Sequence, residues 1–85
     1  MAEYNCRVCG LTQPDPPWGE DGATPSYLIC SCCGVEFGYE DSTVESTRSY
    51  RDAWLQNGSP WLEPKERPDD WSREYQLGQV SSEFR

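Results

Sequence analysis

The five cysteines of this 85-residue chain fall into two short turns that each read C-x-x-C-G. The first turn is Cys6-Arg7-Val8-Cys9-Gly10, and the second is Cys30-Ser31-Cys32-Cys33-Gly34. Two sulfurs in a C-x-x-C turn converge on one point, and the glycine that follows tolerates the positive φ that turns the chain away beneath them. The spacing therefore predicts one closed metal site of four thiolates. Its ligands would be Cys6, Cys9, Cys30 and Cys33.

A site with four sulfur ligands and no open position is typical of structural zinc. The chain contains no histidine, so Cys2His2 and Cys3His zinc sites are excluded. Iron in the same four sulfurs would instead make a one-electron carrier. Free or disulfide-paired cysteines are a further alternative, but they do not explain why glycine follows both pairs.

Cys32 is the cysteine left over. Using it in place of Cys33 would give a C-x-C pair and leave Gly34 without a role. We expect Cys32 to be a small buried hydrophobe rather than a reactive thiol, because no cationic residue lies near it in the sequence to lower its pKa.

The composition predicts one small domain with a weak core. Only 35% of the residues are hydrophobic, and four tryptophans and five tyrosines make up much of that share. Ordering a residue costs on the order of 1.5 kcal/mol in conformational entropy, which so small a core barely offsets. A structural metal is a common remedy for this deficit.

The charge is negative and unevenly distributed. Fifteen acids against seven bases give a net charge of −8. Residues 1–45 hold eight of the acids and only one base, Arg7. Nucleic-acid binding requires clustered lysine and arginine, so we do not expect it here. Such a surface favours a basic protein partner, because complementary charge gives selectivity.

The sequence also bears on the compartment. Its first residues lack the pattern of a signal peptide, and no apolar run is long enough to span a bilayer. An odd number of cysteines without an export signal favours reduced thiols. We therefore expect a cytoplasmic protein that does not enter membranes.

The residues around the cysteines predict three short strands. These cover residues 4–6, 26–29 and 35–39, with Val35, Phe37 and Tyr39 on one face. The proline- and glycine-rich residues 11–25 predict a loop. The expected result is a small antiparallel meander that carries both cysteine turns.

Two helices are predicted after the strands. Ser42 and Glu45 have the spacing of a capping box for a helix that ends at Gln56, before Asn57-Gly58. Its inward face would carry Val44, Thr47, Tyr50, Arg51, Trp54 and Leu55. A second helix would begin at Pro68-Asp69-Asp70 and end at Leu77, before Gly78.

The predicted fold is therefore a small α+β protein. It would be a zinc-ribbon or rubredoxin-like two-knuckle meander of short antiparallel strands with two C-terminal helices. We expect a single domain over residues 1–85, made of a zinc ribbon (1–41), a helical part packed on it (42–78) and a loose tail (79–85).

These motifs resemble those of the bacterial cysteine-rich CPCC family. That family has a first C-x-x-C-G, a variable loop, and then C-P-C-C-G before an aromatic and acidic stretch. The present chain has Ser31 in place of the proline and continues with residues 35–41, VEFGYED. The resemblance implies a zinc-ribbon-like fold with Cys6, Cys9, Cys30 and Cys33 as metal ligands, but no established activity. Some such proteins are thought to sit in toxin–immunity loci, which implies an immunity-type role.

The first turn, from Tyr4 to Gly10, also resembles the first knuckle of rubredoxins. This weaker resemblance implies iron electron transfer as the alternative function. The helical second half has no counterpart in rubredoxins, and their second knuckle expects proline where Ser31 stands.

No residue set predicts catalysis, so we do not expect an enzyme. The acids Glu36, Glu40, Asp41 and Glu45 have no nucleophile, histidine or phosphate-binding loop beside them and predict a solvated face. Trp18 and Trp61 lie in proline-rich segments and are predicted to belong to the core, with exposed interface anchors as the alternative. The candidate interface residues are Trp18, Trp61, Glu40 and Asp41.

Overall fold

The computed structural model describes residues 2–85, and this part of the chain contains two α-helices. We name them α1, Val44–Gln56, and α2, Arg73–Leu77. Single-turn 3-10 helices cover Pro64–Glu66 and Ser82–Phe84. The remaining described residues form turns and irregular segments.

The predicted meander of antiparallel strands is wrong. Residues 2–85 contain no β-strand and only two isolated antiparallel bridges, Asn5 with Thr12 and Ile29 with Glu36. Each bridge closes one cysteine turn, which gives a first knuckle hairpin (residues 4–13) and a second knuckle hairpin (residues 28–37). Among the described residues, no backbone hydrogen bond joins the two hairpins.

The hairpins stay short for local reasons. After the first hairpin come Pro14, Pro16 and Pro17, which have no amide to donate to a ladder. Before the second hairpin, Tyr27 adopts a left-handed φ of +60° and ends the extended segment. After it, Gly38 has a φ of +99°. Tyr39 is consequently 74% exposed instead of continuing the inward face of Val35 and Phe37.

The cap of helix α1 lies one residue later than predicted. Thr43, not Ser42, accepts a hydrogen bond from the Ser46 amide at 3.0 Å, and the Ser46 hydroxyl accepts one from the Thr43 amide at 3.3 Å. Ser42 donates its hydroxyl to the carbonyl of Gly38 instead. The predicted end at Gln56 is confirmed, with Gly58 at a φ of +91° just beyond it.

The inward face of α1 is confirmed as well. Thr47 and Trp54 are buried, and the other predicted members of this face are half-buried: Val44, Tyr50, Arg51 and Leu55. The helix therefore covers the cysteine hairpins with the side that its sequence pattern indicated.

Helix α2 is shorter than predicted. It begins at Arg73 after a cap by Ser72, whose hydroxyl accepts the Tyr75 amide at 3.2 Å, and it ends at Leu77 as predicted. Pro68 forms a separate turn, because its carbonyl accepts the Trp71 amide at 3.2 Å. The Trp71 ring then packs edge-on against Trp61, with ring centroids 5.5 Å apart.

One hydrophobic core joins both halves of the chain. Half of its ten buried residues are cysteines, and the rest are Val8, Val35, Phe37, Trp54 and Trp61. The segment 79–85 is not the loose tail that we expected. Val80 and Phe84 are 3% and 8% exposed, and they hold this segment against the rest of the fold.

The helices of the described part of the chain are all too short or too polar to cross a membrane.

Candidate metal centre

The two knuckle hairpins bring four sulfur atoms together. The Sγ atoms of Cys6, Cys9, Cys30 and Cys33 all lie within 4.8 Å of one another. Cys6 and Cys33 are separated by 3.7 Å between sulfurs, and Cys9 and Cys30 by 3.6 Å. A tetrahedron with metal–sulfur bonds of ~2.3 Å has edges of ~3.8 Å, so these distances suit a bound metal ion. They are far longer than the ~2.05 Å of a disulfide bond, and all five cysteines are free.

The site is closed to solvent. Cys6, Cys9 and Cys30 are completely buried, and Cys33 is 7% exposed. Four sulfurs in this arrangement can hold a metal ion, and they leave no position around it for a substrate.

The thiols also influence one another electrostatically. Burial raises the pKa of Cys33, and the hydrogen bond with Cys30 raises the pKa of Cys9. Hydrogen bonds from the thiols of Cys33 and Cys6 lower the pKa of Cys30. Four thiolates within 4.8 Å would repel one another strongly in a buried site. A divalent cation removes that repulsion, which is why this donor set suits a metal.

The first cysteine turn is held by side chains from the second half of the chain. Arg51 on α1 donates from Nε to the Val8 carbonyl at 2.6 Å and from Nη2 to the Arg7 carbonyl at 2.7 Å. The same Nη2 donates to the Phe84 carbonyl at 2.7 Å. Burial lowers the pKa of Arg51, but its ordinary value is high enough to keep the guanidinium charged.

Helix α2 contributes a second contact to this turn. The buried side chain of Gln76 donates to the Cys9 carbonyl at 3.2 Å and to the Cys32 sulfur at 3.3 Å. Its own carbonyl oxygen accepts a hydrogen bond from the Trp71 indole at 2.8 Å. The hydrogen bonds of the Gln76 side chain thus link α2 to both cysteine turns.

The second cysteine turn is held mainly by backbone groups. The amides of Leu62 and Glu63 donate to the carbonyls of Cys32 and Ser31 at 3.0 and 2.9 Å. The Tyr50 hydroxyl on α1 donates to the Cys33 carbonyl at 3.2 Å. Burial raises the pKa of Tyr50 to about 12, so its hydroxyl keeps its proton at neutral pH.

Cys32 lies outside the four-sulfur cluster and is completely buried. Its hydrogen bond with Cys9 lowers its pKa, and burial opposes that shift. The buried position agrees with the expected small hydrophobe. The contact with Gln76 adds a polar partner that the sequence did not indicate.

Two of the four candidate interface residues form an internal network. The buried Asp41 carboxylate accepts the Trp18 indole at 2.9 Å and the Gly38 amide at 2.7 Å. Trp18 is half-buried, and the Arg7 guanidinium lies 4.0 Å above its ring. On its other side the guanidinium lies 4.2 Å from the Phe84 ring. Asp41 is therefore not available to a partner.

The other two candidates differ from each other. Trp61 is 8% exposed and belongs to the core, and its indole nitrogen has no hydrogen-bond partner among residues 2–85. Glu40 is half-buried and accepts the Glu36 amide at 3.1 Å. The structure thus brings the four cysteines together but does not gather the interface candidates into one surface.

Sequence reasoning missed the residues that support the first turn. The sequence predicts Arg51 on the inward face of α1 but does not single out Gln76. Their partners lie 43 and 67 residues away along the chain, so no local pattern identifies them. The one local signal is that Arg51 is the only charged residue on the predicted inward face of α1.

Comparison with known proteins identifies two relatives from Bacillus subtilis (strain 168). The uncharacterized protein YoaQ is 32% identical to this chain, and the alignment covers 79% of this chain and 70% of YoaQ. The uncharacterized protein YozI is 31% identical, and the alignment covers 79% of this chain and 69% of YozI. No family model and no solved structure matches, so the resemblance to the CPCC family stays a prediction. At this identity and coverage, the chain belongs to the same protein family as YoaQ and YozI.

Proposed function

We propose that this chain is a structural-zinc protein that acts as a non-catalytic protein-interaction module. The observation that carries the proposal is the closed cluster of Cys6, Cys9, Cys30 and Cys33, whose sulfurs are buried and lie within 4.8 Å of one another. A metal with four sulfur ligands has no open coordination position, and such sites serve folding rather than catalysis.

The composition of the core supports a structural role for the metal. Five of the ten residues in the core cluster are cysteines, and only Val8, Val35, Phe37, Trp54 and Trp61 are conventional hydrophobes. Removing the metal would leave buried thiols without a common partner at the centre of a thin core. Metal binding and folding are then one equilibrium, as in small zinc domains.

The outer surface supports interaction as the activity. Several large apolar side chains are more than half exposed, namely Tyr27, Leu28, Ile29, Tyr39, Leu62 and Tyr75. Tyr27, Leu28 and Ile29 are consecutive, and a contiguous exposed apolar patch favours a binding surface. With a net charge of −8, the partner that fits best is a basic protein. A basic nuclease-type toxin is one such partner, and the resemblance to the CPCC family supports that version of the proposal.

Two measurements test this proposal. Native mass spectrometry of protein purified under reducing conditions is expected to show one zinc ion per chain, and removal of the metal by a chelator is expected to abolish the folded circular-dichroism spectrum. A folded protein without metal would contradict it. For the toxin version, the protein is expected to retain a basic nuclease in a pull-down and to protect cells that express that nuclease. An absence of protection would contradict that version alone.

The alternative is rubredoxin-like electron transfer with iron in the same sulfurs. The donor set allows it, because four thiolates bind iron as well as zinc. Colour distinguishes the two functions: an oxidised iron tetrathiolate is red, whereas the zinc form is colourless. Reversible bleaching of the purified protein by a reductant would replace the zinc proposal with electron transfer.

A further inference from the structure

The backbone of Ile29 faces away from its own hairpin. The bonds that flank the Ile29–Glu36 bridge run from the Cys30 amide to Val35 and from the Phe37 amide to Leu28, both at 2.9 Å. In an antiparallel pair, the residue between two such bonds directs its own N–H and C=O to the opposite side. Neither group of Ile29 has a hydrogen-bond partner within residues 2–85.

Ile29 also lines a shallow cleft. We call it the Ile29 groove and define it by Pro14, Asp15, Leu28, Ile29, Phe37 and Glu66. Leu28 and Ile29 are 53% and 56% exposed, whereas Phe37 at the base is buried. The groove thus combines an unpaired backbone edge with apolar side chains, which is the combination that binds an extended peptide as an added strand.

The charge of the groove selects the kind of peptide. Asp15 and Glu66 line it, both are exposed, and neither forms an ion pair within the described part of the chain. Among residues 2–85, no lysine or arginine lines it. An extended segment with alternate basic residues would place its cations beside these carboxylates.

The edge is short. Tyr27 ends it on one side with its φ of +60°, and on the other side the Ser31 carbonyl is already occupied by the Glu63 amide. The backbone of Ile29 therefore supplies one pair of hydrogen bonds and fixes the register. The contacts with Asp15, Glu66 and the apolar side chains must supply the rest of the affinity.

We propose that the Ile29 groove binds an extended, basic segment of a protein partner by strand addition. This inference rests on the proposed interaction function and names the surface that performs it. The exposed Ile29 edge, the apolar wall and the two unpaired carboxylates all lie along the same cleft.

The test uses the full, metal-loaded chain and a fluorescent octapeptide of alternating lysine and valine, with fluorescence anisotropy as the readout. The double variant Asp15→Lys/Glu66→Lys is expected to bind about tenfold more weakly or worse, because two attractive contacts become repulsive. The matched control is Glu45→Lys/Asp52→Lys on α1, which makes the same charge change at exposed positions outside the groove. It is expected to weaken binding less than about threefold.

A second peptide tests the backbone contribution. Methylation of alternate backbone nitrogens removes N–H donors but keeps every side chain, so strand addition predicts a loss of about tenfold. Equal affinity for the methylated peptide would overturn strand addition.

The remaining outcomes separate the groove from the general function. Equal weakening by the two double variants would overturn the groove and preserve the proposal of a basic partner. Failure of the natural chain to bind any basic peptide would overturn both. A dimer that dissociates in the Ile29→Lys variant would assign the edge to a second copy of the chain and overturn the proposal.

Discussion

The two cysteine turns have the same sequence pattern and the same backbone geometry, but their surroundings differ. Gly10 and Gly34 have φ angles of +88° and +82°, and each donates its amide to the first cysteine of its turn at 3.0 Å. The first turn lies beneath Arg51 and Gln76, which hold its carbonyls. The second turn lies beside the exposed Leu28 and Ile29.

The space around Gly10 and Gly34 shows how the surroundings of the two turns differ. A Cβ added at Gly10 would lie 2.0 Å from the backbone carbonyl oxygen of Gln76. At Gly34 the nearest atom would be the Tyr50 hydroxyl oxygen at 3.5 Å. One turn is packed against backbone that cannot move aside, and the other has room. The same metal-binding turn therefore serves once as an internal anchor and once as the base of an accessible surface.

The largest expected effect is the same in both turns. Cys9→Ser and Cys33→Ser should each unfold the protein, because metal binding contributes an apparent ~10–16 kcal/mol to small zinc domains. Circular dichroism and metal content measured on the same sample check this. If only one variant unfolded, the two turns would not contribute equally to one metal site.

Alanine substitution of the two glycines should destabilise the protein by different amounts in the two turns. Gly10→Ala is expected to destabilise the protein by about 3–5 kcal/mol, because a left-handed alanine is strained and also overlaps the Gln76 carbonyl. Gly34→Ala retains only the strain and should cost about 1–2 kcal/mol. Urea denaturation of the metal-loaded proteins measures both values. Equal costs would show that the packing difference between the turns has no energetic consequence.

Substitution of the side chains that donate hydrogen bonds to the turns should give a smaller difference in stability between the two turns. Arg51→Lys should cost about 2 kcal/mol, because one ammonium group cannot replace the guanidinium hydrogen bonds to three carbonyls. Tyr50→Phe removes one hydrogen bond to the second turn and should cost about 1 kcal/mol. The midpoint of urea unfolding measures each. A reversed order would mean that the second turn is the more firmly held.

The smallest effect is expected at Cys32. Cys32→Ser should keep the metal and lose less than about 1 kcal/mol, because the serine hydroxyl can still accept the hydrogen bond from Gln76. Metal content and the unfolding midpoint check this. Loss of the metal would show that Cys32, and not Cys33, completes the site.

The features that were predicted correctly from the sequence are those that depend on residues close together in the chain. The C-x-x-C-G spacing indicated the four sulfurs that the structure brings together, because the geometry of such a turn is local. The inward face and the end of α1 were also predicted correctly from its periodicity and from Asn57-Gly58.

The failures concern choices that distant contacts decide. The segments around the cysteines have strand-like composition, but they have no neighbouring strand to pair with beyond their own turn. Ser42 and Thr43 are both good caps, and Ser42 instead bonds to the Gly38 and Tyr39 carbonyls. Residues 79–85 were expected to be loose, yet Phe84 contacts the Arg7 guanidinium 77 positions earlier in the chain.

The enclosed position of Arg7 has a consequence for how partners approach. It is the only base among residues 1–45, and it is held between two aromatic rings while its attraction to the buried Asp41 offsets its charge. Five acids of this half are exposed, so its surface carries a strongly negative field: Glu3, Asp15, Glu20, Asp21 and Glu45. Encounters with a basic molecule should be accelerated by long-range steering, and the acceleration should fall steeply as ionic strength rises.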